Sequence, residues 1–181
     1  MRQAWKFAYW PLIWTITLAP PLVFDWGPRL HGLSGLFLQA LGLVVIVYSL
    51  LLTSIAGRTL RLYGHTGDSF WPDKLVDVGI YSCMRHPQHL GLALFPLGLS
   101  LATAMPVVLL ASGWSVAGAL AFVLLVEEPE CLVKYGDKYV AYMRRVPPFS
   151  LNPRCLMEAL RLLEKSDNIV EVAQKPLIKD C

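Results

Sequence analysis

The chain has 181 residues, 55% of them hydrophobic and only 16% charged, with a mean hydropathy of +0.50. A soluble domain of this length carries about 25% charged residues, so the composition excludes an ordinary water-soluble globule and points to a chain embedded in lipid. The formal net charge of +3 is too mild to mark a nucleic-acid binder; the information lies in where the charges stand.

Met1 to Lys6 is a short basic start, and Phe7 to Phe24 is an uncharged run of 18 residues, rich in Trp and interrupted by Pro11 and Pro20-Pro21. That run is near the lower length limit for crossing a bilayer. It lacks a small-residue cleavage site and is too long for a signal peptide. The proline pair is expected to kink or end the helix before Asp25. Asp25 to Gly35 reads as a loop. Leu36 to Ala56, 21 residues without a charge, is the cleanest transmembrane candidate. A basic helix end, Gly57 to Gly64, follows, and His65 to Asp73 reads as a polar loop.

Leu75 to Gly91 is a polar island between apolar stretches, holding Asp77, Tyr81, Cys83, Arg85, His86 and His89. Asp77 to Ser82 reads as a turn into a short helix, and Pro87 is placed as the first residue of the next helix, where its missing N–H costs nothing. Leu90 to Val126 is then 37 residues without a charge. One straight helix of that length would run about 55 Å, far beyond an apolar slab of about 30 Å. Pro106 near its middle predicts a helical hairpin, 90–104 and 107–126, whose first arm contains Pro96 and Gly98. Glu127 to Arg145 alternates charge with Tyr135, Tyr139 and Tyr142 on one helical face. Such a face is more often an interfacial belt than a ligand box. Arg154 to Lys165 is an amphipathic piece, and from Ser166 the tail reads as polar and loosely ordered.

The sequence therefore predicts an all-α fold: a polytopic membrane helix bundle of about four transmembrane helices, the last two a hairpin, with short helices after it. Residues 1–153 form the membrane-embedded domain and 154–181 a tail. With four crossings, fifteen basic residues fall on the side of the termini and one, Arg29, on the other. The positive-inside rule then puts both termini, the island and Glu127-Glu128 in the cytoplasm. Cys83, Cys131, Cys155 and Cys181 form no C-x-x-C pair and read as free thiols in a reducing compartment. His86, His89 and Cys83 are the nearest approach to a zinc set; no metal site is expected.

Glu127 and Glu128 are adjacent carboxylates at the end of an apolar helix. Alone they read as a solvated helix end, although acids at a helix C-terminus oppose the macrodipole. A bound cation would suit them. Arg85-His86 at a helix mouth could merely anchor it to headgroups. Yet Tyr81, Arg85 and His89 are four apart and, if helical, form a stripe that is expensive in a membrane unless it lines a cavity.

Arg85-His86-Pro87-Gln88-His89-Leu90-Gly91, a 35-residue gap, Glu127-Glu128, and then Tyr135 to Pro147 with its Tyr-Gly-x-x-Tyr-x-x-Tyr and Arg-Val-Pro resemble the isoprenylcysteine carboxyl methyltransferase and phospholipid methyltransferase superfamily. Lys74-Leu75-Val76-x-x-Gly79-x-Tyr81 resembles the family's lead-in, and the likeness covers roughly residues 57–149. The resemblance implies a cytoplasm-facing membrane enzyme using S-adenosylmethionine. Tyr81, His86, Pro87, Gln88, His89, Leu94, Glu127 and Glu128 would form the cofactor pocket. Arg85, Glu128 and Arg145 would act on the acceptor or the proton. The acceptor would be lipid-like: a prenylcysteine carboxylate, a phospholipid headgroup amine or a hydrophobic thiol. Membrane lipids are the expected surroundings, and no nucleic-acid partner is expected. His89 replaces the family's usual tyrosine, and Tyr135 a phenylalanine. Val123 stands where the prenylcysteine enzymes carry a carboxylate-binding arginine, which passes that duty to Arg85 or Arg145 or removes the carboxylate. Glu127-Glu128-Pro129 matches the phosphatidylethanolamine enzymes. Membrane sterol-type reductases share an Arg-His-Pro-x-Tyr-x-Gly motif and use NADPH, and a non-catalytic membrane scaffold with a recruiting tail is the third reading.

Overall fold

The computed structural model describes residues 4–23, 28–65 and 72–174. It contains seven α-helices and no strand among those residues: α1 Ala4–Val23, α2 Gly32–Tyr63, α3 Pro87–Thr103, α4 Pro106–Phe122, α5 Glu128–Tyr135, α6 Asp137–Arg145 and α7 Pro153–Gln174. A 3-10 turn, Gly79–Ser82, precedes α3, and a π turn, Val123–Glu127, joins α4 to α5.

Helices α1 to α4 form the bundle, with α3 against both α2 and α4, and α1 against α4. Small residues let α2 and α3 approach closely. A Cβ on Gly42 would lie 2.7 Å from the carbonyl oxygen of Gly98, and one on Gly98 would lie 2.9 Å from the backbone nitrogen of Ile46. Such close backbone contact replaces the hydrophobic drive that lipid does not supply. The outward face of α2 is apolar and exposed at Leu33, Leu36, Phe37, Val44 and Val47, as a lipid-facing surface would be.

A proline inside a helix leaves the carbonyl four residues before it without its helical donor. Pro96 cannot donate to Leu92, and the indole N–H of Trp14 on α1 donates to that oxygen at 3.2 Å instead. Pro129 cannot donate to Leu125, and the π turn falls across that carbonyl, with the N–H of Glu128 donating to Val123. The α3–α4 reversal occupies Ala104 and Met105. The Ala104 backbone is left-handed (φ 52°), and its carbonyl accepts from the N–H of Leu30 at 2.9 Å.

The expected hairpin is present. Of the four expected crossings, two helical stretches are long and apolar enough to span: Gly32–Tyr63, and Pro106–Tyr135 taken through the π turn. Helices α1 and α3, at 20 and 17 residues, pack beside them. Other boundaries move. The loop from Asp25 ends sooner, because α2 begins at Gly32; its residues 25–27 lie outside the described residues, as do 66–71 of the polar loop. The tyrosine segment is two helices, broken at Gly136 (φ 55°, ψ −133°), a backbone that a side chain resists. The expected loose tail is helical as far as Gln174, and 175–181 lie outside the described residues.

The cysteine expectation needs correction. Cys83 and Cys155 are joined as a disulfide, with Cα atoms 5.7 Å apart, and Cys131 is free. The bond ties α7 to the island. There Cys155, Ala159 and Leu163, one turn apart, pack with Ile80, Tyr81, Met84, Leu52 and Ile55.

Candidate functional site

The island is held by local geometry before any helix begins. The N–H groups of Arg85 and His86 donate to the carbonyls of Pro147 and Pro148 at 2.9 and 3.0 Å, so the two prolines after α6 pin this irregular dipeptide. The Arg85 guanidinium is then spent inside the protein. Its Nη1 donates to the carbonyls of Met143 (3.1 Å) and Val146 (2.5 Å), and its Nε to Glu128 Oε1 at 2.9 Å. His86 Nε2 stands 2.7 Å from the same carboxylate oxygen. Glu128 is 5% exposed, and its other oxygen, Oε2, is buried with no hydrogen-bond partner.

Glu127, one 100° helical step away, faces a different neighbourhood. Its Oε1 accepts from Lys6 Nζ of α1 at 2.8 Å, and Lys6 also donates to Glu130 Oε2 at 2.6 Å. His89 Nε2 lies 4.0 Å from Glu127, with its ring against Trp10 and Phe122 at 5.6 and 5.4 Å between centroids. Tyr9 donates to the carbonyl of Gly118 at 2.7 Å, which helps fix α1 along α4.

Between these groups lies a cavity of about 660 Å³, within the usual range for small-molecule sites. Tyr81, Arg85, His86, Gln88, His89 and Glu127 all line it, so the structure gathers the island and the first glutamate around one space. Tyr81, Arg85 and His89 do not reach it as a helical stripe. A 3-10 turn, an irregular link and α3 deliver them separately. Glu128 does not line the cavity but is locked to two residues that do. Pro87 is buried at the start of α3, Leu94 points elsewhere while Leu92 lines the cavity, and Arg145 is exposed, 3.8 Å from Asp77 and away from the cavity.

The sequence reading did not anticipate Lys6, Trp10, Glu130, Cys131, Tyr139 or Tyr142 as lining residues. For the tyrosines a signal existed in their helical spacing, but it pointed equally to an interfacial belt. Tyr139 and Tyr142 are in fact buried, and Tyr142 donates to the carbonyl of Tyr81 at 2.5 Å. Burial pushes the phenols of Tyr81, Tyr139 and Tyr142 well above their ordinary value, so they stay protonated donors. Among the described residues no group of three His, Cys, Asp or Glu side chains is placed to hold a metal ion.

An all-helical bundle with two apolar helices long enough to cross a membrane, and a chamber lined by glutamates, basic residues, histidines and aromatic rings, defines a membrane-type protein with a small-molecule-sized site of mixed charge. The comparisons sharpen that class. The family model described as phospholipid methyltransferase matches residues 34–138, more than half of the chain. The chain therefore belongs to this family, within the superfamily of membrane methyltransferases that also includes the isoprenylcysteine carboxyl enzymes. The match runs from α2 into α6 and leaves α1 and α7 outside. Searches of curated proteins and of solved structures returned no match.

Proposed function

We propose that the chain is an integral-membrane, S-adenosylmethionine-dependent methyltransferase acting on a lipid-borne acceptor. The observation that carries this reading is the convergence of the Arg85-to-His89 island and Glu127 on one chamber. The residues suit the cofactor. Its ammonium and sulfonium call for negative charge, which Glu127 and Glu130 offer at the cavity. Glu127, His86, Gln88 and His89 would hold it. Bound there, it would supply a methyl group on a sulfonium, transferred by in-line displacement.

The chain's own part is placement and exclusion of water. The Arg85–Glu128–His86 lock keeps the island rigid, and the rings of Trp10, Phe122, Tyr139 and Tyr142 supply the apolar walls. The match to the phospholipid methyltransferase family model favours this reading over the sterol-type reductase one.

Among acceptors we favour a phospholipid headgroup amine over a prenylcysteine carboxylate. Arg85 is consumed by Glu128 and two carbonyls, Arg145 lies outside the cavity, and Val123 is fully buried. Lys74 and Lys134, both exposed and both lining the cavity, suit a headgroup phosphate at its rim. We place the protein across the membrane four times with both termini and the chamber cytoplasmic, on the strength of fifteen basic residues against one. The Cys83–Cys155 disulfide argues the other way, since cytosolic thiols are usually kept reduced. One cysteine pair does not outweigh that charge bias.

The test is transfer of labelled methyl from S-adenosylmethionine to phosphatidylethanolamine vesicles, run beside a farnesylcysteine acceptor. Label in the lipid amine supports the reading. Label in the farnesylcysteine alone moves the acceptor to the carboxylate class. Label in neither, with folded protein and several amine and thiol lipids, overturns it.

A further inference from the structure

Lys6 is a buried lysine with two carboxylates and no third partner among the described contacts. It is 7% exposed, lies on α1 outside the family-matched segment, and reaches Glu127 and Glu130 across 121 and 124 residues of chain. Apart from the exposed Lys74 and Lys134, which also line the chamber, the charges there divide into two sets. Glu128 is met by Arg85 and His86. Glu127 and Glu130 share Lys6, so two negative charges face one positive and the triad carries a net charge of −1. His89 at 4.0 Å is beyond hydrogen-bond range of Glu127.

We propose that Lys6 is a tethered counter-cation: it bridges both carboxylates while the chamber lacks a cationic ligand, and cedes Glu127 to that ligand while keeping Glu130. The proposal rests on the methyltransferase reading for the identity of the cation. The geometry supplies the rest. Glu127 and Glu130 are three residues apart on one helical face, where two carboxylates repel each other unless a cation lies between them. The Nζ distances of 2.8 and 2.6 Å show both bonds made at once. The Glu130 side chain is 45% exposed against 21% for Glu127, so Glu130 can follow Lys6 toward the mouth while Glu127 stays in place. Lysine suits this task, being a compact charge on a flexible four-carbon stem. With the ligand bound, Glu127 and Glu130 would each face a cation of its own.

The consequence is selectivity by charge. A donor carrying the extra positive sulfonium gains from the open carboxylate. The product, one positive charge poorer, competes less well with Lys6 and is released as Lys6 returns. Lys6 thereby becomes a specificity-determining residue of the chamber.

The test is calorimetric binding of S-adenosylmethionine and S-adenosylhomocysteine to detergent-solubilised wild type, Lys6→Met and Glu130→Gln. A competing internal cation lowers apparent affinity by the fraction of time it occupies the site, so Lys6→Met should bind S-adenosylmethionine about 5–10-fold tighter, with S-adenosylhomocysteine nearly unchanged. Glu130→Gln leaves Lys6 no second carboxylate and should weaken S-adenosylmethionine about threefold, the opposite sign. Weaker binding of both ligands by Lys6→Met would overturn the inference and make Lys6 a brace or a ligand for the cofactor carboxylate. If Lys6→Met does not fold, Glu130→Gln decides: unchanged or tighter binding overturns it. Binding of neither ligand to folded wild type would overturn the methyltransferase reading and this inference together, an outcome distinct from the others.

Discussion

Glu127 and Glu128 are identical neighbours with opposite surroundings. Glu128 points into the protein, 5% exposed, between Arg85 and His86. Glu127 points into the chamber and answers to a lysine from another helix. The π turn ahead of Pro129 and the 100° step of the helix send one carboxylate to structure and the other to the cavity. Adjacent residues of one type therefore should not be assigned one role. A buried charge with fixed partners holds geometry, whereas a charge shared with a flexible lysine can be exchanged.

Mutations at the two carboxylates should separate these roles. The largest effect belongs to the lock. Arg85→Met leaves Glu128 buried without its arginine and the carbonyls of Met143 and Val146 without that donor, and should cost about 3–5 kcal/mol in detergent-based unfolding. The double variant Arg85→Met with Glu128→Leu removes both charges, and should recover a good part of that loss, because an apolar pair avoids stranding an ion. A double variant as unstable as the single would show that the carbonyl contacts of Arg85, and not the ion pair, hold the lock.

Glu127→Gln should behave in the other way. Lys6 keeps Glu130, so unfolding should shift little, while cofactor affinity should fall about 10–100-fold, the scale of one charge-assisted contact. Equal losses of affinity and stability at Glu127 and Glu128 would erase the distinction. The smallest effect is expected outside both clusters. Arg145→Ala, whose partner Asp77 is 3.8 Å away with both side chains exposed, should change stability by well under about 1 kcal/mol.

Local features were legible in the sequence and distant ones were not. Pro106 in a charge-free stretch of 37 residues announced the hairpin, and Pro87 announced the start of α3. The island and the glutamate pair stood out because polar residues beside apolar helices need a reason. Lys6 carried no such signal: a lysine before an apolar run reads as a topology marker, and its pairing with Glu127 exists only once α1 lies along α4. The Cys83–Cys155 bond spans 72 residues, and no spacing rule pairs two lone cysteines at that range. Arg85 was legible as a site residue, but its engagement with Glu128 and the carbonyls of Met143 and Val146 depends on how α6 ends. The face of Tyr135, Tyr139 and Tyr142 was visible as a pattern, yet periodicity alone does not say whether lipid, water or a cavity meets it.

The most direct measurement is titration of the solubilised wild-type protein with S-adenosylhomocysteine, with NADPH as a parallel ligand. The account predicts saturable binding of S-adenosylhomocysteine alone. Binding of NADPH alone, or of neither ligand to folded protein, would contradict it.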